Sequence, residues 1–68
     1  MKKDELKAIF QNKKLKFITI DKYTFEDLHI VFDNNHVEGF SYDNKKLFEI
    51  TYATFEEIVK ELKFDVEE

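Results

Sequence analysis

The pattern of residues 28 to 52 predicts two consecutive hairpins, and this pattern constrains the fold more than any other feature of the sequence. Apolar and polar residues alternate there, and Asn34-Asn35 and Asp43-Asn44 interrupt the alternation with side chains that tolerate the positive φ of tight turns. Alternation of this kind is typical of strands that bury one face. The sequence therefore predicts an antiparallel meander of three strands, over 28–32, 37–42 and 46–52.

The register of this meander follows from two-residue turns at both positions, because residues that face one another share a side of the sheet. The two turns agree with each other, because pairing across the first and pairing across the second place the same residues of the central strand on the same side of the sheet. The lone glycine, Gly39, falls between Ile30 and Phe48, where a missing side chain leaves room for a ring. The second turn also sets Ser41 opposite Lys46. The predicted core face comprises Leu28, Ile30, Phe32, Val37, Gly39, Phe48, Ile50 and Tyr52.

Amphipathic helices are predicted at both ends of the chain. From Lys2 to Asn12 the apolar residues recur at the spacing of one helical face, and Leu15 to Ile20 is typical of a strand covered on both sides. Further on, Thr54 and Glu57 form a capping box, so a final helix is expected to begin there. The residues that this helix is predicted to bury are Phe55, Ile58, Val59 and Leu62.

These elements define a single small α+β domain over residues 1–68: an antiparallel meander of three to four strands, flanked by an N-terminal and a C-terminal helix, in the order α-β-β-β-β-α. One alternative stays open. Residues 24–28 resemble residues 54–58, so 24–32 could instead form a middle helix. The strand is preferred because His29-Ile30-Val31-Phe32 is rich in strand formers and alternates cleanly.

The composition argues against several classes of function. All eleven basic residues are lysines and the net charge is −4, which disfavours direct nucleic-acid binding, because that depends on cations and above all on arginine. There is no Cys, no phosphate-binding glycine loop and no nucleophile motif. The first residues lack the apolar run of a signal peptide, and no segment is long enough to span a membrane. We therefore predict a cytoplasmic protein with no enzymatic activity, cofactor or membrane partner.

The two histidines are the side chains in which a general base or a metal ligand would first be sought. The predicted register places His36 opposite Asp33 and His29 opposite Phe40. Zinc sites need three or four converging ligands, and the sequence shows no spacing that supplies them. Both histidines are therefore interpreted as ordinary imidazoles, with no catalytic residue and no metal site.

The outer side of the meander is too apolar for a plain solvated face. Either another element covers it, or the register is shifted by one residue, or it binds a protein. We predict a non-catalytic interaction or regulatory protein whose small size and acidity suggest a phage or mobile-element origin. A weak homodimer through the same face is also expected. The candidate protein-binding face comprises His29, Val31, Phe40, Tyr42 and Leu47.

The acidic end of the chain supports an alternative function. Rows of carboxylates can imitate nucleic-acid phosphates, so the chain could inhibit a nucleic-acid-binding protein as an acidic mimic. Lys60 and Lys63 interrupt the row, which weakens this hypothesis and favours an ordinary solvated helix face. The candidate acidic surface comprises Glu56, Glu57, Glu61 and Asp65.

Overall fold

The computed structural model describes residues 2–67, which form two helices and one five-stranded antiparallel sheet. Because β5 returns to pair with β1, the strand order is β4-β3-β2-β1-β5. The predicted α+β class and the two helices are confirmed, with five strands instead of three or four. The elements are α1 (Lys3–Phe10), β1 (Leu15–Ile20), β2 (Tyr23–Phe32), β3 (His36–Ser41), β4 (Lys46–Thr51), α2 (Tyr52–Lys60) and β5 (Phe64–Val66).

Strand β2 is the longest element and settles the alternative for residues 24–32, which are strand and not helix. Its first half pairs with β1 and its second half with β3, and Leu28 pairs with both Leu15 and Ser41. Between the halves, Asp27 has a φ of 52°. Phe25 nevertheless contacts Phe48 of β4 with a ring-centroid distance of 5.2 Å, so the sheet brings side chains of non-adjacent strands together.

The register predicted for the first hairpin is confirmed. Leu28, Ile30 and Phe32 pair with Ser41, Gly39 and Val37, respectively. The inner pairs of the second hairpin, Val37 with Ile50 and Gly39 with Phe48, also match the prediction. The position of the glycine is explained as expected, since a Cβ on Gly39 would overlap the Phe48 ring.

The outer end of the second hairpin differs from the prediction. Lys46 pairs with Phe40 and not with Ser41, which leaves Leu47 as an extra residue in β4. The reason is a three-residue turn: Asn44 has a φ of 64°, and the Ser41 amide donates to the Lys45 carbonyl at 2.9 Å. Three-residue hairpin loops commonly end in such a left-handed residue, and they shift the register beyond it.

Helix α2 begins earlier than predicted. Its N-cap is Thr51, whose hydroxyl accepts from the Thr54 amide at 3.2 Å, so the capping box of Thr54 and Glu57 was wrong. Tertiary contacts favour the earlier start, because the Tyr52 hydroxyl donates to the Asp33 carbonyl at 2.5 Å. The burial predicted for Leu62 was also wrong, since this residue is 76% exposed just beyond the helix.

One hydrophobic core joins both helices to the sheet. The Phe10 ring lies 4.8 Å from that of Phe55 and 5.0 Å from that of Phe64, so a single side chain connects α1, α2 and β5. Between residues 2 and 67, neither helix has the length and apolar character needed to cross a membrane. The buried core residues are Leu6, Phe10, Leu15, Ile18, Leu28, Ile30, Val37, Phe55, Ile58 and Val59.

Candidate functional site

A groove with a volume of about 650 Å³ lies between α1, the loop that follows it and strand β2. Three lysines line it: Lys7 from α1, and Lys13 and Lys14 from the loop. Amide and aromatic side chains complete a lining that combines positive charge with apolar surface. The other lining residues are Gln11, Asn12, His29, Ile30, Val31, Phe32 and Tyr42.

The end of α1 positions the lysines. The helix is anchored because Leu6 and Phe10 are buried, and the chain turns at Asn12, which has a φ of 61°. The Lys13 amide then donates to the Phe10 carbonyl at 3.2 Å, and the Lys14 carbonyl accepts from the Glu67 amide at 2.8 Å. The loop that carries the lysines is therefore held at both ends by backbone hydrogen bonds.

Most of the predicted protein-binding face is brought together beside this groove. The His29 ring lies 6.1 Å from that of Phe40 and 5.2 Å from that of Tyr42. Val31 is 39% exposed and Tyr42 is 56% exposed. Leu47 does not share this environment, because it is half-buried and packs against the core. The lysines of the groove were not predicted from the sequence, because they are remote in the chain from the strand residues that they approach.

The charges in the groove are only partly compensated. Within residues 2–67, no ion pair is formed by Lys7 or Lys13. Lys14 lies 3.7 Å from carboxylate oxygens of both Asp27 and Glu67, and its Nζ is 5.4 Å from the centre of the Tyr42 ring. The groove thus presents positive charge on a chain whose net charge is −4.

His29 has a polar atom without a partner. Its Nδ1 is the one buried side-chain nitrogen or oxygen among residues 2–67 that makes no hydrogen bond. Such an atom lowers stability, since burial removes its water and nothing replaces it. His29 therefore has an unsatisfied imidazole nitrogen beside two aromatic rings, at a cost in folding free energy.

The predicted acidic surface is closely associated with lysines. Glu56 and Glu57 lie 3.7 Å and 4.0 Å from Lys60. Glu61 lies 3.5 Å from Lys63, and Asp65 lies 3.8 Å from Lys16 on the neighbouring strand. The four carboxylates therefore do not form an uncompensated row of the kind that would resemble a phosphate backbone.

A second polar cluster lies at the β2–β3 turn. The Nε2 atom of His36 is 3.5 Å from Asp33 Oδ2, 3.4 Å from Glu38 Oε1 and 3.7 Å from Glu49 Oε1. Lys46 also contacts both Glu38 and Glu49. The sequence contained a signal for this cluster, because the predicted register placed His36 opposite Asp33.

Hydrogen bonding shifts the pKa of several groups in these two regions. Lys46 lowers the pKa of Glu49, chiefly through their hydrogen bond, and Glu49 raises the pKa of Lys46 in return. Near the groove, the Ser41 hydroxyl lowers the pKa of Asp43 by donating to its carboxylate. Burial raises the pKa of Tyr52.

Comparison of the chain with protein-family models, with curated proteins and with solved structures finds no match. Its function must therefore be inferred from its own side chains.

Proposed function

We propose that this chain is a non-catalytic interaction protein that binds an acidic, partly apolar segment of another protein in the groove beside α1. The observation that carries the proposal is the presence of two lysines, Lys7 and Lys13, that form no ion pair with any residue from 2 to 67, in a groove that also exposes apolar and aromatic surface. Charge complementarity selects the occupant, because an acidic segment supplies the partners that these lysines lack within the described residues.

The aromatic side of the groove supplies the apolar part of the binding energy. Tyr42 and His29 each combine an apolar ring with a polar edge, and Val31 lies two residues beyond His29 on the same side of β2. Aromatic residues surrounded by charged ones are typical of protein interfaces, where the rings contribute most and the peripheral charges steer the encounter. We therefore expect a bound segment to place an apolar side chain against these residues.

The size of the groove favours a short segment over a large folded surface. Its volume of about 650 Å³ lies within the range of ligand pockets, roughly 300–1,000 Å³.

The proposal can be tested with a fluorescent acidic peptide of about ten residues that carries one Phe and one Leu. Its affinity should fall steeply as salt rises, because surface charges are screened. Reversing both groove lysines, Lys7→Glu with Lys13→Glu, should weaken binding about tenfold or more, which corresponds to roughly 0.7 kcal/mol for each charge.

A matched double variant, Lys22→Glu with Lys63→Glu, reverses the same charge outside the groove and should bind almost as well as wild type. The interpretation would be overturned if both double variants bound equally, or if a peptide with Lys in place of its acidic residues bound as tightly. Sedimentation tests whether the groove instead binds a second copy of the chain. A dimer abolished by the groove reversal would make self-association, and not binding of another protein, the role of this surface.

A further inference from the structure

We infer that Asp33, His36 and Glu38 form a binding site for a divalent transition-metal ion such as Zn²⁺, apart from the groove. These residues come from the end of β2 and from β3, and one ligand atom of each lies within 4.8 Å of the other two. One imidazole nitrogen with carboxylate oxygens is a donor set that zinc accepts. Glu49, on the adjacent strand, provides a third carboxylate and a fourth possible donor.

The two donor separations that involve His36 support an ion between these residues, and all three donor atoms lie within 4.8 Å of one another. Zinc bonds of about 2.0–2.2 Å to nitrogen and oxygen in a tetrahedron place neighbouring ligand atoms roughly 3.3–3.6 Å apart. His36 Nε2 lies 3.5 Å from Asp33 and 3.4 Å from Glu38, which fits this edge length. Both distances exceed those of ordinary N–H···O hydrogen bonds, about 2.7–3.2 Å. The imidazole thus faces both carboxylates at the separation of ligands that share an ion.

The fold restrains these donors before any ion arrives. Asp33 Oδ1 accepts from the Asn34 amide at 2.5 Å, which leaves Oδ2 directed towards the imidazole. The Asp33 backbone is held on both sides, since its amide donates to the His36 carbonyl at 3.0 Å and its carbonyl accepts from Tyr52. Glu38 lies two residues beyond His36 on β3 and so projects to the same side. Held in place in this way, the donors lose little conformational entropy on binding.

Lys46 is the feature that gives the proposal a distinctive test. Its ammonium lies 3.0 Å from Glu38 Oε2 and also contacts Glu49, so it supplies positive charge where a metal ion would supply more. The Lys46 side chain is exposed to solvent. If these carboxylates bind a metal ion, Lys46 competes with that ion, and its removal should strengthen binding. Because removal of a positive charge also favours non-specific attraction of cations to carboxylates, only a gain that is lost with the His36 imidazole supports the site.

The experiment is titration of the protein with zinc chloride, followed by calorimetry and by NMR of the histidine side chains. Wild type should bind one ion per chain, with the resonances of His36 shifted and those of His29 unchanged. His36→Ala should lose affinity by about tenfold or more, in line with the loss of a ligand. Lys46→Met, which keeps the apolar stem, should bind several times more tightly than wild type.

Two controls decide between this site and adventitious binding. His29→Ala removes the other histidine and should leave the affinity unchanged, and zinc should raise the Tm of wild type but not that of His36→Ala. Equal affinities for wild type and His36→Ala would overturn the proposal, as would a Lys46→Met variant that binds no more tightly. Circular dichroism of each variant confirms that it is folded before titration.

Discussion

Gly39 lies at a position where the sheet has no room for a side chain. The Phe48 ring occupies the space that a Cβ would fill, and from there it reaches the Phe25 ring at 5.2 Å. Gly39 itself is buried and has no positive φ, so it is required for close approach and not for an unusual backbone conformation. One residue in β3 thereby permits a contact between β2 and β4, which are not neighbours in the sheet.

Gly39→Ala should therefore destabilise the protein, because the ring must move out of a packed position. We expect a loss of about 1–3 kcal/mol in the free energy of unfolding, measured by urea denaturation. As a control, the same Gly39→Ala substitution is made in the Phe48→Leu protein, where the shorter side chain leaves space for the new methyl group. The same substitution should cost clearly less there, and equal costs in both backgrounds would assign the effect to the backbone and not to the ring.

At the scale of elements, the end of α2 contains a residue in an unfavourable conformation. Leu62 has a φ of 56°, its amide donates to the Val59 carbonyl at 3.1 Å, and the Lys63 amide donates to the Ile58 carbonyl at 3.1 Å. These two bonds form a Schellman motif, in which the left-handed position usually belongs to glycine. The motif also directs the chain from α2 into β5, so the unfavourable residue lies at a necessary turn.

Leu62→Gly should stabilise the protein by about 0.5–1 kcal/mol. Glycine removes the steric cost of the left-handed conformation, and the greater conformational entropy of the unfolded chain offsets part of that gain. No packing is lost, since the leucine is 76% exposed. Thermal unfolding of Leu62→Gly and Leu62→Ala provides the comparison. Alanine keeps the Cβ and should bring no gain, so a similar rise in Tm for both variants would contradict the explanation.

At the scale of the whole molecule, stability depends on a small core assembled from both ends of the chain. Phe10 connects three elements through its contacts with Phe55 and Phe64. A chain of this length rarely gains more than about 3–5 kcal/mol of net stability from one core. Loss of a single large buried side chain can therefore remove most of what holds α1, α2 and β5 together.

Phe10→Ala should leave the protein largely unfolded, because removing a buried phenylalanine costs about 3–5 kcal/mol. Phe17→Ala is the matched control: this phenylalanine is only half-buried and lies outside the core cluster, so its loss should cost about 1–2 kcal/mol. Circular dichroism and urea denaturation measure both. A folded Phe10→Ala variant with near-normal stability would show that the helices do not depend on this contact.

The sequence by itself determined the parts of this protein that depend on local pattern. Alternation and turn residues predicted the register from Leu28 to Val37 and from Val37 to Phe48, and helical spacing predicted α1 and α2. These predictions succeeded because each depends on neighbours a few residues apart, where the periods of strand and helix decide which side chains share a face.

The tertiary structure alone decided the rest. Strand β5 is three residues long, too short for any periodicity, and it forms because the edge of β1 offers hydrogen-bond partners. Thr51 and Thr54 are both suitable caps, and the bond from Tyr52 to Asp33 favours the earlier one. The groove joins Lys7 and Lys13 to β2, and the cluster joins His36 to three carboxylates, through contacts between segments that pack together only in the folded chain. Charge, size and chemistry of a site arise from that packing, which no local pattern encodes.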